Sequence, residues 1–460
     1  ASAVNGVCLN NQAPDKGFTS VATDSRNVLP GSLFIPLMGE FQDGHSYIQK
    51  ALDCGASVVF VDAAHAASSG NDYEELARAH RSAVVVVANT LTGLQDAARA
   101  YVSFFPGLVK IGVTGSSGKT TTKEIIGSIF SRKYRVIMNE GNLNSETGLP
   151  LSVFRIRGDH EVGIFELGMN RRGEIAEIAR VLSPSLALIT NIGTAHIGIL
   201  GTQTAIAEEK KSIFSFFDKA CTGFVPENDR YADFLRDIPE GNVQTFGTSS
   251  TPSFAGAEDL GINGSLIRYE GREIRLPLPG PYNLGNALGA ITLARFAGLN
   301  PDEIKAGIES VKPLFGRAEV IPGDITVMLD CYNANPDSME SALDFCSSLD
   351  WKGRKVFVLG SMLELGAESD EAHLRICRLA SRSDVDAVFL FGDEMNRAGR
   401  AAEWGSVAVR FCATIEELSG GLEASVRTGD LVFVKGSRGM ALERVVPVLT
   451  GTDAGGGSHV

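Results

Sequence analysis

The chain has 460 residues, too many for one ordinary hydrophobic core, so we expect two or three domains. Hydrophobic residues make up 44% of the sequence and charged residues 21%, a composition that is typical of globular proteins and excludes a disordered chain. The formal net charge of −13 at pH 7 argues against nucleic acid or an anionic membrane surface as a partner, because both repel an acidic protein.

Three segments of different character follow one another along the chain. Residues 1–107 contain short strands and turns (SLFIPLMG, ASVVFVDA, SAVVVVAN) with one or two helices between them. Residues 108–313 begin with a strand, a glycine-rich turn and a helix. Residues 314–460 alternate strands such as ITVMLDCYN, KVFVLGSM, DAVFLFG and LVFVKGS with helices. Apolar strands that alternate with helices predict an α/β fold with parallel sheets in the second and third segments.

The strongest local motif is LVKIGVTGSSGKTTTKEIIGSIF. An apolar strand and an amphipathic helix flank a turn with Gly115 and Gly118, so backbone N–H groups can surround a phosphate at a helix N-terminus. Lys119 is expected to contact the outer phosphates, and the Thr120 hydroxyl to bind Mg²⁺. Val113 stands where the longer form of this motif has its first glycine, so the match is to G-x-x-G-K-T. The motif predicts an ATP site rather than a turn that merely caps a helix.

Two further apolar strands are expected to carry a carboxylate and an imidazole to the same sheet edge. The strand VGIFELG ends at Glu166, and SLALITNIG runs towards His196. In a parallel sheet both side chains would lie near the C-terminal strand ends, beside the phosphate loop. A carboxylate and an imidazole there suit a divalent metal that bridges to phosphate, although each alone is more often an ordinary surface residue.

Lys210 lies in the middle of an apolar helix face in TAIAEEKKSIFSFFDK, whereas Lys211 points about 100° away. A lysine on such a face loses its charge readily, because burial disfavours the ammonium ion. The neutral amine could then take up carbon dioxide as a carbamate able to hold a metal ion. Periodicity alone favours the other interpretation, in which the stem is buried and the ammonium group reaches water.

Polar residues also mark the junction between the second and third segments. Asn283 and Asn286 begin the apolar helix of PGPYNLGNALGAITLA, where they could read a base or cap the helix. FGRAEVI and LDCYNANPDS supply Arg317, Asp330 and Asn333. An arginine near a domain junction could reach a transferring phosphate when the domains close.

Two other patterns carry less weight. Leu418–Leu422 reads LSGGL, close to the signature of transporter-type ATPases, but its distance from the phosphate loop is wrong for that class, and we interpret it as a turn. The seven cysteines are dispersed without a C-x-x-C pair, which indicates reduced thiols.

The sequence shows neither a basic segment followed by an apolar stretch at its start nor a run of about 18 apolar residues. We therefore expect a cytoplasmic bacterial protein with no membrane insertion.

Together these blocks resemble the Mur ligase family over nearly the whole chain. The resemblance is carried by TDSR, LFIPLMGEFQDGH, TGSSGKTTT, GNLNSETGLPL, FELGMNRRGEI, NIGTAHIGILG, the Lys210 helix, NLGNALGA, GRAEV, YNANPDS, GSMLELG and VKGSRG. FELGMN, YNANPDS and LELG followed by His373 resemble the branch that adds D-alanyl-D-alanine. The sequence departs from the family pattern at Tyr282, where a histidine usually precedes the first asparagine, and at Cys331, where serine is common.

The resemblance implies an α/β protein with three domains. Residues 1–107 would form a smaller N-terminal α/β domain for the UDP-sugar, residues 108–313 a central P-loop ATPase with a parallel sheet, and residues 314–460 a Rossmann-like C-terminal domain. We expect a monomer, and we expect the incoming dipeptide to contact the third domain near Gly392 and Asp393.

The resemblance also assigns roles to individual residues. Those implied in catalysis are Lys119, Lys210, His196 and Arg317. Those implied in binding ATP are Gly115, Ser116, Ser117, Gly118, Lys119, Thr120, Thr121, Asn283, Asn286, Arg317 and Asp330. Those implied in holding the UDP-sugar peptide are Ser25, Arg26, Asn142, Asn144 and Ser145. The implied Mg²⁺ ligands are Thr120, Glu166, His196 and Lys210, the last as a carbamate. For Lys210 the resemblance therefore overrides the interpretation from periodicity, in which its ammonium group reaches water.

The activity implied is the ATP-dependent joining of D-alanyl-D-alanine to UDP-N-acetylmuramoyl-tripeptide through an acyl phosphate, a step of peptidoglycan precursor synthesis. Another amide ligase is the alternative within enzymes: a Mur ligase that adds the third residue, or folylpolyglutamate synthase, which lacks the TDSR and DGH blocks. From another class, a P-loop switch or transporter ATPase is the alternative, but no N-K-x-D guanine motif is present.

Overall fold

The computed structural model describes residues 1–11, 17–39, 41–68 and 72–451. The chain forms two compact units, each of mixed helices and strands. The first contains Ala1–Gly112, Arg135–Met169 and Gly173–Ser185, and the second contains Val113–Tyr134, Asn170–Arg172 and the chain from Leu186 onward. The predicted α/β fold class is confirmed.

A five-stranded sheet with the order β1-β5-β4-β3-β2 forms the N-terminal part of the first unit. Only the β1–β5 pair is antiparallel. Its core contains Phe34, Val59 and Val84, which are buried against the helices that follow the strands. The elements are β1 (Val7–Asn11), β2 (Ser20–Ala22), β3 (Ser32–Phe34), α1 (Ile48–Asp53), β4 (Val58–Asp62), α2 (Ala63–Ser68), α3 (Tyr73–His80), β5 (Ala83–Val87) and α4 (Thr90–Val102).

The glycine-rich turn lies between β6 (Val109–Thr114) and α5 (Lys119–Phe130), as predicted. The apolar residues of α5 that have helical spacing, including Ile125 and Ile129, are fully buried. Helix α5 belongs to the second unit, whereas the first unit also contains β7 (Val136–Met138), α6 (Gly148–Val153), β8 (Val162–Glu166) and α7 (Glu174–Leu182). Strands β7 and β8 pair in parallel, and β8 ends at Glu166 as the sequence predicts.

The second unit contains a parallel β9–β10–β11 arrangement, a small antiparallel sheet of β12, β13 and β14, and two helices, α11 and α12, that pack on α5. The Ser128 hydroxyl of α5 donates to the Gly307 carbonyl of α12 at 2.7 Å. The elements are β9 (Leu186–Ile189), α8 (Ile197–Leu200), α9 (Gln203–Lys211), β10 (Thr222–Pro226), α10 (Ala232–Arg236), β11 (Asn242–Phe246), β12 (Phe254–Asp259), β13 (Ser265–Tyr269), β14 (Arg272–Leu276), α11 (Pro281–Phe296) and α12 (Pro301–Glu309).

The C-terminal part of the second unit is a six-stranded sheet with the order β15-β16-β20-β17-β18-β19. Only β15 is antiparallel, so the predicted parallel sheet is confirmed. The elements are β15 (Glu319–Ile321), β16 (Thr326–Asp330), α13 (Pro336–Ser348), β17 (Lys355–Gly360), α14 (Ser369–Ala380), β18 (Ala387–Phe391), α15 (Asp393–Ala401), β19 (Ala408–Cys412), α16 (Ile415–Ser425), β20 (Leu431–Lys435) and α17 (Val446–Thr450).

The interpretation of LSGGL as a turn is wrong, because these residues lie inside α16. Leu418 and Leu422 are buried one turn apart on the same face of this helix. Their packing outweighs the low helix propensity of the two glycines between them. Among the residues that the structure describes, no helix is both long and apolar enough to cross a membrane.

Candidate active site

The turn between β6 and α5 is a phosphate loop whose shape requires glycine at two positions. Gly115 (φ +147°) and Gly118 (φ +77°) both have a backbone conformation that L side chains rarely adopt. A Cβ on Gly118 would lie 2.5 Å from Oδ1 of Asn286, and one on Gly115 would collide with the Thr190 hydroxyl. The loop therefore packs closely against both α11 and the segment after β9.

The segment after β9 fixes the loop by hydrogen bonds. The Ser116 amide donates to the Asn191 carbonyl at 3.0 Å, and the Ser117 amide donates to Asn191 Oδ1 at 3.1 Å. The Thr190 hydroxyl donates to the Ser117 carbonyl at 2.6 Å, and the Gly193 amide donates to Ser116 Oγ at 2.8 Å. The loop is thus preformed, which lowers the conformational entropy lost when an anion binds.

The N-terminus of α5 completes the loop. Lys119 begins the helix, and its Nζ donates to the Gly115 carbonyl at 2.9 Å, so the ammonium group lies over the loop. Thr120 is buried and Thr121 is partly buried in the same first turn. An ammonium group and the backbone amides of a helix N-terminus form a site that attracts phosphate.

Electrostatics place His196 close to two lysines. Its pKa is lowered from 6.5 to about 3, first because burial disfavours the imidazolium ion and then because Lys119 and Lys210 are positively charged neighbours. His196 is therefore neutral at physiological pH. The Lys119 ammonium group, the Lys210 side chain and a neutral imidazole together suit an anionic ligand or a metal–phosphate group.

The local geometry of His196 fits a metal ligand. The residue has φ +63°, the left-handed region that is unusual outside glycine, and its side chain is 17% exposed. Nδ1 is buried and lies 3.3 Å from Glu364 Oε2, but it has no hydrogen-bond partner among the described residues. In the tautomer with its proton on Nε2, the neutral imidazole offers the Nδ1 lone pair for coordination.

Lys210 is only 1% exposed, so its ammonium group does not reach water and the interpretation from periodicity alone is wrong. The apolar residues of its predicted helix face are buried, although α9 ends at Lys211 and only the first of them lies within it: Ile206, Ile213, Phe214 and Phe217. A lysine enclosed in this way needs either a compensating anion or loss of its charge.

Glu166 lies in the first unit, where its surroundings are also polar and buried. The side chain is 3% exposed, and its Oε1 accepts a hydrogen bond from Asn144 Nδ2 at 2.8 Å. The Asn139 side chain binds the backbone of Glu166 on both sides: its Oδ1 accepts from the Glu166 amide at 2.9 Å, and its Nδ2 donates to the Glu166 carbonyl at 3.1 Å. The sequence did not single out Asn139. Glu166 is thus a carboxylate in a fixed position, as a metal ligand requires.

The predicted nucleotide residues of α11 are buried at its first turns. Asn283 Nδ2 donates to the Pro279 carbonyl at 2.8 Å, and Asn286 Nδ2 donates to Asn283 Oδ1 at 3.2 Å. Asn286 lies against Gly118 of the phosphate loop. Tyr282 instead packs on the C-terminal hydrophobic core, and its buried hydroxyl has no hydrogen-bond partner among the described residues.

Arg317 and Asp330 lie at the junction with the C-terminal sheet. The Arg317 guanidinium group stacks 4.1 Å above the ring of Tyr332. One Asp330 oxygen accepts from the Ala318 amide at 3.2 Å, and the other forms an ion pair with Lys435, which is 2% exposed. Lys435, to which the sequence assigned no role, therefore orients Asp330, whose other oxygen binds the amide of the residue after Arg317.

The predicted UDP-sugar residues fall in two places of the first unit. Ser25 is buried and Arg26 is exposed in a short 3-10 helix, where Arg26 pairs with Asp24 at 2.5 Å. Asn142 is exposed, and its carbonyl accepts from the Asn144 amide at 2.7 Å. The Ser145 hydroxyl accepts from the Gly148 amide at 3.2 Å. Asn144 links this second group to Glu166.

Two residues of the C-terminal part that the sequence did not single out also reach the site. Asp337 accepts hydrogen bonds from Thr194, and Glu364 lies beside His196. Both belong to quoted family blocks, YNANPDS and GSMLELG, but no local pattern assigns a partner more than 140 residues away. His373 is buried, and its Nε2 accepts a hydrogen bond from the Met362 amide at 2.9 Å, so this side chain holds the backbone after β17 in place.

Three family models match the chain in order. They are described as "Mur ligase family, catalytic domain" over residues 17–102, "Mur ligase middle domain" over 113–294, and "Mur ligase, glutamate ligase domain" over 316–438.

Relatives and solved structures agree with these models. The UDP-N-acetylmuramoyl-tripeptide--D-alanyl-D-alanine ligase of Treponema pallidum is 49% identical over 97% of both chains. That of Bacillus subtilis is 33% identical over 97% of this chain and 96% of its own. The crystal structure of MurF from Acinetobacter baumannii has a TM-score of 0.88 at 28% identity, over 98% of this chain and 97% of that one. MurF ligase from Thermotoga maritima in complex with ADP has a TM-score of 0.81 at 26% identity, over 94% and 96%. The chain belongs to the Mur ligase family.

Proposed function

We propose that the protein joins D-alanyl-D-alanine to UDP-N-acetylmuramoyl-tripeptide with the conversion of ATP to ADP and phosphate, a step of peptidoglycan precursor synthesis. The observation that carries the proposal is the 49% identity, over nearly all of both chains, to a ligase named for this reaction. The cluster of Lys119, His196 and Lys210 at a preformed phosphate loop supports it independently.

The chemistry needs a way to make a carboxylate reactive, because the anion resists attack by an amine and has no leaving group. A carboxylate oxygen of the tripeptide attacks the γ-phosphorus of ATP, and ADP leaves with the electron pair of the broken P–O bond. The amine nitrogen of the dipeptide then attacks the acyl carbon, inorganic phosphate leaves, and the nitrogen loses a proton. Both steps gain most from positioning and charge neutralisation.

The chain's residues supply that positioning. The loop residues 115–118, with Thr120 and Thr121, hold the phosphates, and Lys119 neutralises charge on the transferring group. Asn283, Asn286 and Asp330 hold the nucleoside, and Arg317 approaches the phosphates from the C-terminal side. Close packing of Asn286 on Gly118 supports a nucleotide that spans α11 and the loop.

We propose as Mg²⁺ ligands the Thr120 hydroxyl, the Glu166 carboxylate, the neutral His196 imidazole and Lys210 as a carbamate, all of which are oxygen or nitrogen donors that a divalent cation accepts. When bound, Mg²⁺ supplies positive charge that offsets the negative charge on the phosphate oxygens. The burial of Lys210 supports the carbamate, because a buried neutral amine that takes up carbon dioxide and releases a proton becomes an anionic oxygen ligand.

The remaining assignments belong to the same proposal. Ser25, Arg26, Asn142, Asn144 and Ser145 hold the UDP-sugar peptide. The chain divides by function into residues 1–107, 108–313 and 314–460, and the dipeptide contacts the third of these near Gly392 and Asp393. We propose that the protein acts in the cytoplasm as a monomer.

Phosphate release from ATP and Mg²⁺ tests the function directly. We expect release only when both UDP-N-acetylmuramoyl-tripeptide and D-alanyl-D-alanine are present, with a product heavier by the dipeptide in mass spectrometry. Release with a different amine alone would keep the ligase activity and remove this substrate assignment. Release with ATP alone would instead favour the nucleotide switch or transporter class.

A further inference from the structure

The segment after β9 lies between the phosphate loop and the N-terminal end of α13. On one side, the Gly193 amide donates to Ser116 Oγ. On the other side, a Cβ on Gly193 would lie 2.6 Å from Oδ2 of Asp337 and 3.3 Å from Cβ of Ser116. No side chain larger than that of glycine fits between the loop and Asp337 unless one of them moves.

Asp337 holds this segment with two short hydrogen bonds. Its Oδ2 accepts from both the backbone amide and the hydroxyl of Thr194, each at 2.6 Å. Hydrogen bonds to an ionised carboxylate are roughly twice as strong as those between neutral groups. The contact joins the C-terminal part of the chain to a residue only two positions from His196.

Asp337 is itself rigidly placed. It is the second residue of α13, directly after Pro336, which begins the helix. Asn335 and Ser338 form a reciprocal capping box, in which the Ser338 amide donates to Asn335 Oδ1 at 2.9 Å and the Asn335 amide donates to Ser338 Oγ at 3.1 Å. A capped helix start with a fixed proline φ leaves the Asp337 carboxylate little freedom.

The far end of the same segment is also held by the C-terminal part. A Cβ on Gly198 would lie 2.6 Å from both the Glu364 carbonyl oxygen and the Gly366 amide nitrogen. The residue that faces His196 from this loop, Glu364, also has positive φ, at +64°. His196 is therefore enclosed between two contacts, at Thr194 and at Gly198, that the C-terminal part makes with its segment.

We propose that Asp337 is a positioning residue for the ligase reaction: through Thr194 and Gly193 it sets the His196 segment and the phosphate loop relative to the C-terminal part of the chain. The proposal rests on the proposed function. Asp337 acts by placing groups that other residues supply, so its loss should slow turnover more than it weakens nucleotide binding.

The first test compares Asp337→Ala with Asp344→Ala, which changes the same residue type at an exposed position of the same helix. We expect Asp337→Ala to lower kcat by about 10- to 100-fold, the scale of a misplacement of about 1 Å, with a smaller change in KM for ATP. Asp344→Ala should match the wild type. Equal kinetics for the two variants would overturn the proposal, as would a loss accounted for by unfolded protein alone.

Two further variants keep the test decisive if Asp337→Ala folds poorly. Asp337→Asn keeps an acceptor oxygen and should recover most of the lost kcat. Gly193→Ala should be harmful alone but should add little to Asp337→Ala, because the Cβ then no longer meets a carboxylate. An additive double variant, or an Asn variant as slow as the Ala variant, would contradict the role.

Hydrogen exchange separates failure of this proposal from failure of the proposed function. If the wild type made no product with any amine, the function would be wrong, but the contact could still be measured. Asp337→Ala should speed amide exchange in the peptide that contains Gly193 and Thr194 and in the phosphate loop, whereas Asp344→Ala should not. Unchanged exchange in both variants would overturn the positioning role whatever the reaction is.

Discussion

Lys119 holds its Nζ over the phosphate loop, and its charge contributes to the low pKa of His196. We predict that Lys119→Ala lowers kcat by ~10²-fold or more, the usual scale for a lost electrostatic contact in such a site. Steady-state phosphate release would measure this. A variant with near-normal turnover would refute the role, and Lys133→Ala, a lysine beyond the end of α5, is the control.

Lys210 makes a sharper chemical prediction because it is buried in α9. If its carbamate supplies an oxygen ligand, Lys210→Ala should be inactive, and added short carboxylates such as formate or acetate should restore part of the activity. Lys211→Ala, one position along, removes a lysine that lies over the Phe234 ring and should stay active. Full activity of Lys210→Ala, or inactivity with no rescue at any carboxylate concentration, would leave Lys210 with a structural role only.

At the scale of single residues, the sequence predicts which polar residues are close together in the chain, but not how far each side chain is buried in the folded protein. Periodicity placed Lys210 on the correct helix face, yet it could not tell a buried ammonium group from one that reaches water, because both occupy the same face. Asp337 and Lys435 were missed for a different reason. Each acts on a partner more than 100 residues away, and only the folded sheets bring the pairs together.

At the scale of elements, the turn between β6 and α5 depends on backbone conformation as much as on side chains. Gly118 has φ +77°, and a Cβ there would meet Asn286 at 2.5 Å. We predict that Gly118→Ala destabilises the loop by about 1–2 kcal/mol, the cost of the left-handed conformation for an L residue, and weakens ATP binding. Calorimetric titration with ATP and Mg²⁺ would measure the second effect.

Gly107→Ala is the matched control for that experiment. Gly107 lies just before β6, has no atom within 4 Å of its Cβ position and does not have positive φ. The substitution Gly107→Ala should leave both the stability of the protein and its affinity for ATP unchanged. Unaltered ATP affinity in Gly118→Ala would show that the loop adapts around a methyl group. The close approach of α11 to Gly118 would then not be needed for ATP binding.

Strands and helices were predicted correctly where a short stretch of sequence shows a clear apolar pattern. Apolar runs predict the strands that precede Gly115 and His196 and the strand that ends at Glu166, and 3.6-residue spacing predicts the helix after the loop. Helix α16 was misjudged because Gly420 and Gly421 read locally as a turn, whereas Leu418 and Leu422 gain more by packing than the glycines lose. Tertiary burial is not visible in a five-residue window.

At the scale of the whole molecule, the family fold could be predicted from twelve sequence blocks, but the contacts that join distant parts of the second unit could not. His196 illustrates the consequence, because its charged neighbours Lys119, Lys210 and Glu364 come from three separate stretches of chain. Its ionisation is therefore coupled to folding of the unit as a whole.

This coupling gives a pH dependence of stability. In the folded protein the pKa of His196 is about 3, below its ordinary value of 6.5, so the unfolded chain takes up the proton first as the pH falls. Above pH 6.5 the residue carries no penalty. Between pH 6.5 and 3 each unit of falling pH costs about 1.4 kcal/mol of folding free energy.

We therefore predict that the wild type loses up to about 2 kcal/mol more stability between pH 7 and pH 5 than His196→Gln does, when metal is removed by a chelator. Thermal unfolding of both proteins at the two pH values would measure the difference. Replacing His160, a partly exposed histidine of the first unit, by Gln should leave the wild-type pH dependence intact. If His196→Gln lost as much stability as the wild type, the imidazole would have to be accessible to protons in the folded protein, and the enclosed site formed by Lys119, Lys210 and the C-terminal contacts would open without unfolding.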